Sequence, residues 1–185
     1  MSRTVTSKES ILVACKDIVR ESGMPALNMR NVAQRCQVAV GSIYNYFPSK
    51  EDLILATVAS IWNEILSFDK NALQNTSFIE VVQHLFNKVQ AGAQTYPLFL
   101  MIHSMSFMEV DKEKGRQAMN HFFGKIEDGL FSALKADPDI RPDVFTDEFT
   151  EKSFVRFVIS NVLALIINRS GDIKFLEQII QKTIY

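Results

Sequence analysis

Val40-Gly41-Ser42-Ile43-Tyr44-Asn45-Tyr46-Phe47 is the stretch that decides the fold. Ile43 and Phe47 are four residues apart and share one face of a short helix, where they can turn toward a core. Gly41, Ser42, Asn45 and Tyr46 then point largely away. A helix face meant for water would favour Glu and Lys, which are better helix formers than Gly, Ser, Asn or Tyr. The uncharged polar face suits a DNA major groove. Gly allows close backbone approach, Asn can pair bidentately with adenine, and Ser and Tyr hydroxyls can hold phosphates.

Working outward, Asn28 is placed to cap a preceding short helix whose Met29, Val32, Ala33 and Cys36 form one stripe. Gln37, Val38 and Ala39 make a three-residue turn to the helix expected over 40–46, closed by Pro48. Two short helices with that turn have helix-turn-helix proportions. A first helix is expected over 7–22, capped by Thr6 with Glu9, and its apolar face is Ile11, Leu12, Cys15, Ile18 and Val19. Gly23 ends it and Pro25 prevents its continuation. Ser49 and Asp52 open a long helix to about residue 68, which joins the two parts rigidly.

The remainder also reads as helix. Ser77 with Glu80 caps one element to about Thr95, the Tyr96-Pro97 pair starts another to about Glu109, and a third runs over 113–136. After the loop 137–143, Thr146 is placed to cap a further helix, and Gly171 separates that from a last one over 172–183. The expected class is all-α, about nine helices, with a helix-turn-helix domain over 1–49 and a helical ligand-binding and dimerisation domain over 50–185.

Composition agrees. Of 185 residues 47% are hydrophobic, and the 7 Gly and 5 Pro are few, as long regular elements require. Residues 1–50 carry seven Lys/Arg against three acids, +4, while 51–185 carry 13 against 18, −5. A basic head on an acidic body fits a DNA-binding domain joined to a sensing one. The first residues do not resemble a signal peptide. The apolar run 154–167 is interrupted by Arg156, Ser160 and Asn161, so no membrane span is expected. Cys15 and Cys36 have no metal or redox spacing and read as buried, reduced core thiols in a cytoplasmic protein. No nucleophile–base motif, phosphate loop or metal-binding pattern occurs, His84, His103 and His121 are isolated, and neither an enzyme nor a cofactor is expected.

Residues 8–62 resemble the DNA-binding domain of the TetR (tetracycline repressor) family. The resemblance rests on Val32-Ala33, Val38, Gly41-Ser42-Ile43-Tyr44-Asn45-Tyr46-Phe47 and Ser49-Lys50-Glu51-Asp52-Leu53. Three positions depart from the family pattern. Gln37 stands where Gly is usual in the turn, Ala39 where Ser often caps the recognition helix, and Asn28 where Thr is usual. The resemblance implies phosphate contacts for Tyr44, Tyr46 and Lys50, groove-facing positions for Gly41, Ser42 and Asn45 beside Val40, and backbone or edge contacts for Asn28 and Arg30. From the residues alone, Tyr44 can equally pack on the first helix and Arg30 can be merely solvated.

The family's last two helices form a dimer interface. Here that implies Phe154, Phe157, Val158, Val162, Leu165, Phe175 and Ile179, in a helix apolar nearly all round and the one after it. A central helix buried within one chain is the other reading. A homodimer would bind a palindromic double-stranded operator. The Met- and Phe-rich run 99–108 suits an adaptable apolar pocket or ordinary core, and Trp62, Tyr96, Met101, His103, Met105 and Met108 are the candidate pocket residues for a hydrophobic ligand. Ligand binding would move the fourth helix and release the operator. The alternative is a DNA-organising or partner-controlling protein with no small ligand.

Overall fold

The computed structural model describes residues 6–67, 76–96, 112–169 and 171–185. Among them are eight α-helices and no strand: α1 Lys8–Ser22, α2 Met29–Arg35, α3 Val40–Tyr44, α4 Lys50–Ile65, α5 Phe78–Thr95, α6 Lys112–Ala136, α7 Glu151–Ile167 and α8 Lys174–Ile184, with one 3-10 turn, Met24–Ala26, after α1. The all-α class is as expected. The helix anticipated beyond Pro97 lies outside the described residues.

Contacts divide the chain into two compact units, Met1–Ile65 with Gly92–Met119, and Leu66–Ala91 with Asn120–Tyr185. In the first unit, Ile11, Cys15, Ile18 and Val19 of α1 are buried with Val32 and Ala33 of α2, Ile43 of α3, Phe47, and Leu53, Val58 and Ile61 of α4. Burying such side chains contributes about 1.5–3 kcal/mol each before entropy is counted. Gly23 at φ 76° ends α1 in a conformation that favours glycine. Gly92 is needed for another reason: a Cβ there would lie 2.5 Å from Ile65 Cδ1.

The caps correct the expected register in two places. Ser7, not Thr6, caps α1, and its reciprocal partner is Ser10 rather than Glu9: the Ser10 N–H donates to Ser7 Oγ at 3.1 Å, and the Ser7 N–H to Ser10 Oγ at 2.9 Å. Thr150, not Thr146, caps α7, through Ser153 N–H at 3.1 Å. Thr146 closes its own turn instead, accepting from Phe149 N–H at 3.1 Å, and Phe149 stacks on Phe145 with ring centroids 5.5 Å apart. The caps at Asn28, Ser49 and Ser77 form as expected.

In the second unit, Phe78 and Val82 of α5, Ile126 and Leu130 of α6, Phe154, Val158 and Val162 of α7, and Leu176 and Ile180 of α8 are buried. The buried carboxylate of Asp137 ties three segments together. It accepts from Phe78 N–H at the start of α5 at 2.7 Å, from Asp139 N–H at 3.0 Å, and from the Tyr185 hydroxyl. Burial alone would raise its pKa, but these hydrogen bonds outweigh burial and hold it below the usual aspartate range.

The link from α2 to α3 carries a non-glycine residue in the left-handed region, Gln37 at φ 55°. Gln37→Gly should stabilise the protein by about 1 kcal/mol, because a non-glycine side chain is strained there. Urea denaturation checks this, and an unchanged or lowered midpoint would contradict it.

Candidate nucleic-acid interface

Asn28 builds the start of α2. Its side-chain carbonyl accepts from Arg30 N–H at 3.1 Å and Asn31 N–H at 3.0 Å, and its NH2 donates to the Ala26 carbonyl at 3.2 Å. Asn28 therefore shapes the helix end, while the neighbouring Arg30 is exposed and forms no ion pair among the described residues. At the other end of α2, Val38 N–H donates to Ala33 C=O at 3.0 Å and Gln37 N–H to Gln34 C=O at 3.1 Å. This paired closure places a left-handed residue just past the helix. That position is Gln37, which is why glycine is the family's usual choice there.

The helix α3 stops at Tyr44, two residues earlier than expected, and the chain continues in a turn in which Tyr46 and Phe47 N–H both donate to Ile43 C=O at 3.0 Å. Ala39 occupies the N-cap with no side-chain hydrogen bond, as a methyl group must. Ile43 and Phe47 are buried as expected, and the Lys8 ammonium stands 5.7 Å from the Phe47 ring centre. Gly41, Tyr44, Asn45 and Tyr46 are exposed and Ser42 is half-buried. Tyr44 is 49% exposed, so packing is not its main use. A Cβ on Gly41 would meet nothing within 4 Å, so the backbone there is open to close approach.

Tyr46 is placed differently from what its motif position implies. Its hydroxyl donates to the Thr6 carbonyl. A phenol has one proton to donate, and a phosphate only accepts, so in this arrangement Tyr46 fastens the segment before α1 instead. Lys50 is exposed at the first residue of α4, next to the Ser49–Asp52 cap, in which Asp52 N–H donates to Ser49 Oγ at 3.0 Å and that hydroxyl donates back to the carboxylate at 2.7 Å.

Three cations of this unit are held by acids. Arg35 pairs with Glu21 at 2.9 Å, Arg20 with Asp17 at 3.0 Å, and Lys16 with Glu64. The last two belong to a polar brace that sequence reasoning missed. The hydroxyl of Tyr96, whose ring is almost wholly buried, donates to Glu64 Oε1 at 2.8 Å and accepts from Arg20 Nη2 at 3.1 Å, with the Arg20 guanidinium 5.4 Å from the Tyr96 ring centre. The brace joins α1, the end of α4 and the residue after α5. No local motif announces it, because its members lie 32 to 76 positions apart.

Of the expected ligand-pocket residues, Trp62 and Tyr96 are among those described. Met101, His103, Met105 and Met108 lie outside the described residues. Trp62 and Tyr96 are buried in the first unit, while the large cleft of the second unit, about 970 Å³, is lined by others, among them Leu66, Glu80, Leu85, Lys125, Leu130 and Asp137. The expected dimer residues divide. Phe154, Val158 and Val162 are buried within the chain's own core, Leu165 and Ile179 are half-buried, and Phe157 and Phe175 stand 47% and 75% exposed. Cys15 is buried, and burial pushes its thiol up to about 11 although a Thr57 hydrogen bond opposes this. Cys36 is only half-buried, because it sits at the C-cap of α2.

Residues 7–57 match the model of the bacterial regulatory proteins of the tetR family. The HTH-type transcriptional repressor KstR of Rhodococcus jostii is 30% identical over 136 residues, 74% of this chain and 63% of that protein. Its namesake in Mycolicibacterium smegmatis is 28% identical over 139 residues, 75% of this chain and 67% of that protein. The chain thus spans about two thirds of the length of these relatives. Among solved structures, BioQ with its double-stranded DNA operator superposes with a TM-score of 0.67 at 18% identity, covering 96% of this chain and 97% of that one.

Burial raises the Glu64 carboxyl, but hydrogen bonds from Lys16 and Tyr96 outweigh it and hold its pKa below the ordinary glutamate value. A carboxylate depressed in the folded state stabilises above its unfolded pKa, about 4.3, and that stability is lost as pH falls through the folded value. Glu64→Gln should therefore flatten the acid limb of the stability–pH curve measured by thermal melts. An unchanged limb would remove Glu64 from the acid response.

Proposed function

We propose that the chain, whose residues 7–57 match the model of the tetR family of bacterial regulatory proteins, is a sequence-specific DNA-binding transcriptional regulator, a repressor that acts as a homodimer on a palindromic operator. The observation that carries the reading is the α2–turn–α3 geometry, with Ile43 and Phe47 buried and Gly41, Tyr44 and Asn45 outward. Gly41, Ser42 and Asn45 face the groove beside Val40, Tyr44 and Lys50 hold phosphates, and Arg30 contacts the backbone or a base edge. Asn28 contributes by fixing the N-terminus of α2.

Dimerisation is supported by the apolar side chains that α7 and α8 leave in solvent, Phe157, Ile167 and Phe175, flanked by half-buried Leu165 and Ile179. Large exposed apolar groups in one region mark an association surface. Sensing falls to the second unit, whose cleft is within the size range of small-molecule sites and mixes Leu66, Leu85 and Leu130 with Glu80, Lys125 and Asp137, a lining for an amphipathic ligand. A ligand that prefers one of two head spacings would release the operator. The family is one of regulators, and we assign no reaction to the chain. Among the described residues no helix is long and apolar enough to cross a membrane, and no group of acidic, His and Cys side chains could hold a metal ion. We place the protein in the cytoplasm with the DNA.

Two experiments test this. Selection from a random duplex pool with the full chain should enrich an inverted repeat, and Phe157→Glu with Phe175→Glu should yield a folded monomer by sedimentation that no longer prefers the repeat. A folded dimer that enriches nothing would refute the reading. Separately, Lys50→Ala should weaken binding to all duplexes alike and reduce the slope of log affinity against log salt by about 1. Unchanged affinity across salt concentrations would exclude a phosphate contact.

A further inference from the structure

From Cys36 to Ser49 the chain carries no charged residue. That stretch includes the turn, all of α3 and the link to α4. Guanine offers O6 and N7, read most often by Arg or Lys, and cytosine offers an N4 donor, read by Asp or Glu. Neither kind of side chain is available anywhere on this surface. What α3 does present is Val40, with its isopropyl group 37% exposed at the first helical position, Gly41 with open space above it, and exposed Asn45. Asn45 makes no side-chain hydrogen bond among the described residues. An apolar contact of this kind fits the thymine 5-methyl group, and a carboxamide fits adenine N6 and N7.

We infer that the α3 surface selects A·T base pairs, with thymine methyl groups seated on Val40 and adenine read by Asn45. The inference rests on the DNA-binding reading above and specifies its ligand. Guanine, where the site contains it, is read from outside α3. The side chain placed for that is Arg30 at the start of α2, since Lys16, Arg20 and Arg35 are paired with Glu64, Asp17 and Glu21 and the Lys8 ammonium stands over Phe47.

The test repeats the selection from random duplexes with the full chain and with Val40→Ala, Asn45→Ala and Arg30→Ala, each checked for an unchanged melting temperature. The positions whose base preference relaxes in the Val40 and Asn45 variants are those that α3 reads, and they should be A·T in the unaltered protein. Replacing thymine by deoxyuridine at the Val40-dependent position removes only the methyl group. It should weaken binding about four-fold, the contribution of one buried carbon, and should have a smaller effect on Val40→Ala, whose remaining methyl group reaches less far. Arg30→Ala should erase any guanine preference while leaving the A·T positions intact. G·C pairs at the α3-dependent positions, or equal affinity for thymine and uracil, would overturn the inference while leaving a sequence-specific regulator standing. Failure to enrich any sequence would overturn both.

Discussion

Two backbone hydrogen bonds, Val38 N–H to Ala33 C=O and Gln37 N–H to Gln34 C=O, fix how the chain leaves α2 and so where α3 begins. Everything on the outer face of α3 inherits its direction from that turn. Ile43 and Phe47 complete the constraint from the other side, since both are buried in the core shared by α1, α2 and α4. The exposed set Val40, Gly41, Tyr44 and Asn45 is what those two anchors leave over. A helix of five residues has little rigidity of its own. Its rigidity comes from the turn before it and the aromatic anchor after it.

The head is also held from behind. Tyr96 sends its hydroxyl proton to Glu64 and takes one from Arg20, and Glu64 is paired with Lys16. Two residues of α1 are thereby tied to the end of α4 and to the residue after α5. The helix α5 itself starts at Phe78, where the Asp137 carboxylate receives the first amide. The helix α5 thus begins at one polar anchor and ends beside another.

Much of this was legible in the sequence for local reasons. Helix periods, caps at Asn28, Ser49 and Ser77, and the Ile43–Phe47 pair depend on residues within one or two turns of each other. The misplaced caps show the resolution of such reading. Thr6–Glu9 and Ser7–Ser10 have the same spacing one residue apart, and only the actual helix start chooses between them. Thr146 failed as a cap because Phe145 and Phe149 stack and hold it in a separate turn. The Tyr96 brace and the Asp137 anchor were invisible because tertiary packing alone brings their members together. Of the side chains expected to meet a partner, Phe154, Val158 and Val162 are buried within their own chain and Phe157 and Phe175 are exposed. A helix apolar on every side declares that it is covered everywhere, but not which side its own chain covers.

The absence of charge between Arg35 and Lys50 has a consequence for how such a protein can change. In the reading proposed above, the lysines that would attract any duplex lie outside residues 36–49, and the side chains that would choose A·T pairs lie inside them. The charge that attracts any duplex and the side chains that would choose A·T pairs therefore reside in different segments. On that reading, substitutions at Val40, Gly41 or Asn45 would change which A·T positions are chosen without altering how fast the protein finds DNA. Substitutions among the lysines can retune that search without changing the address.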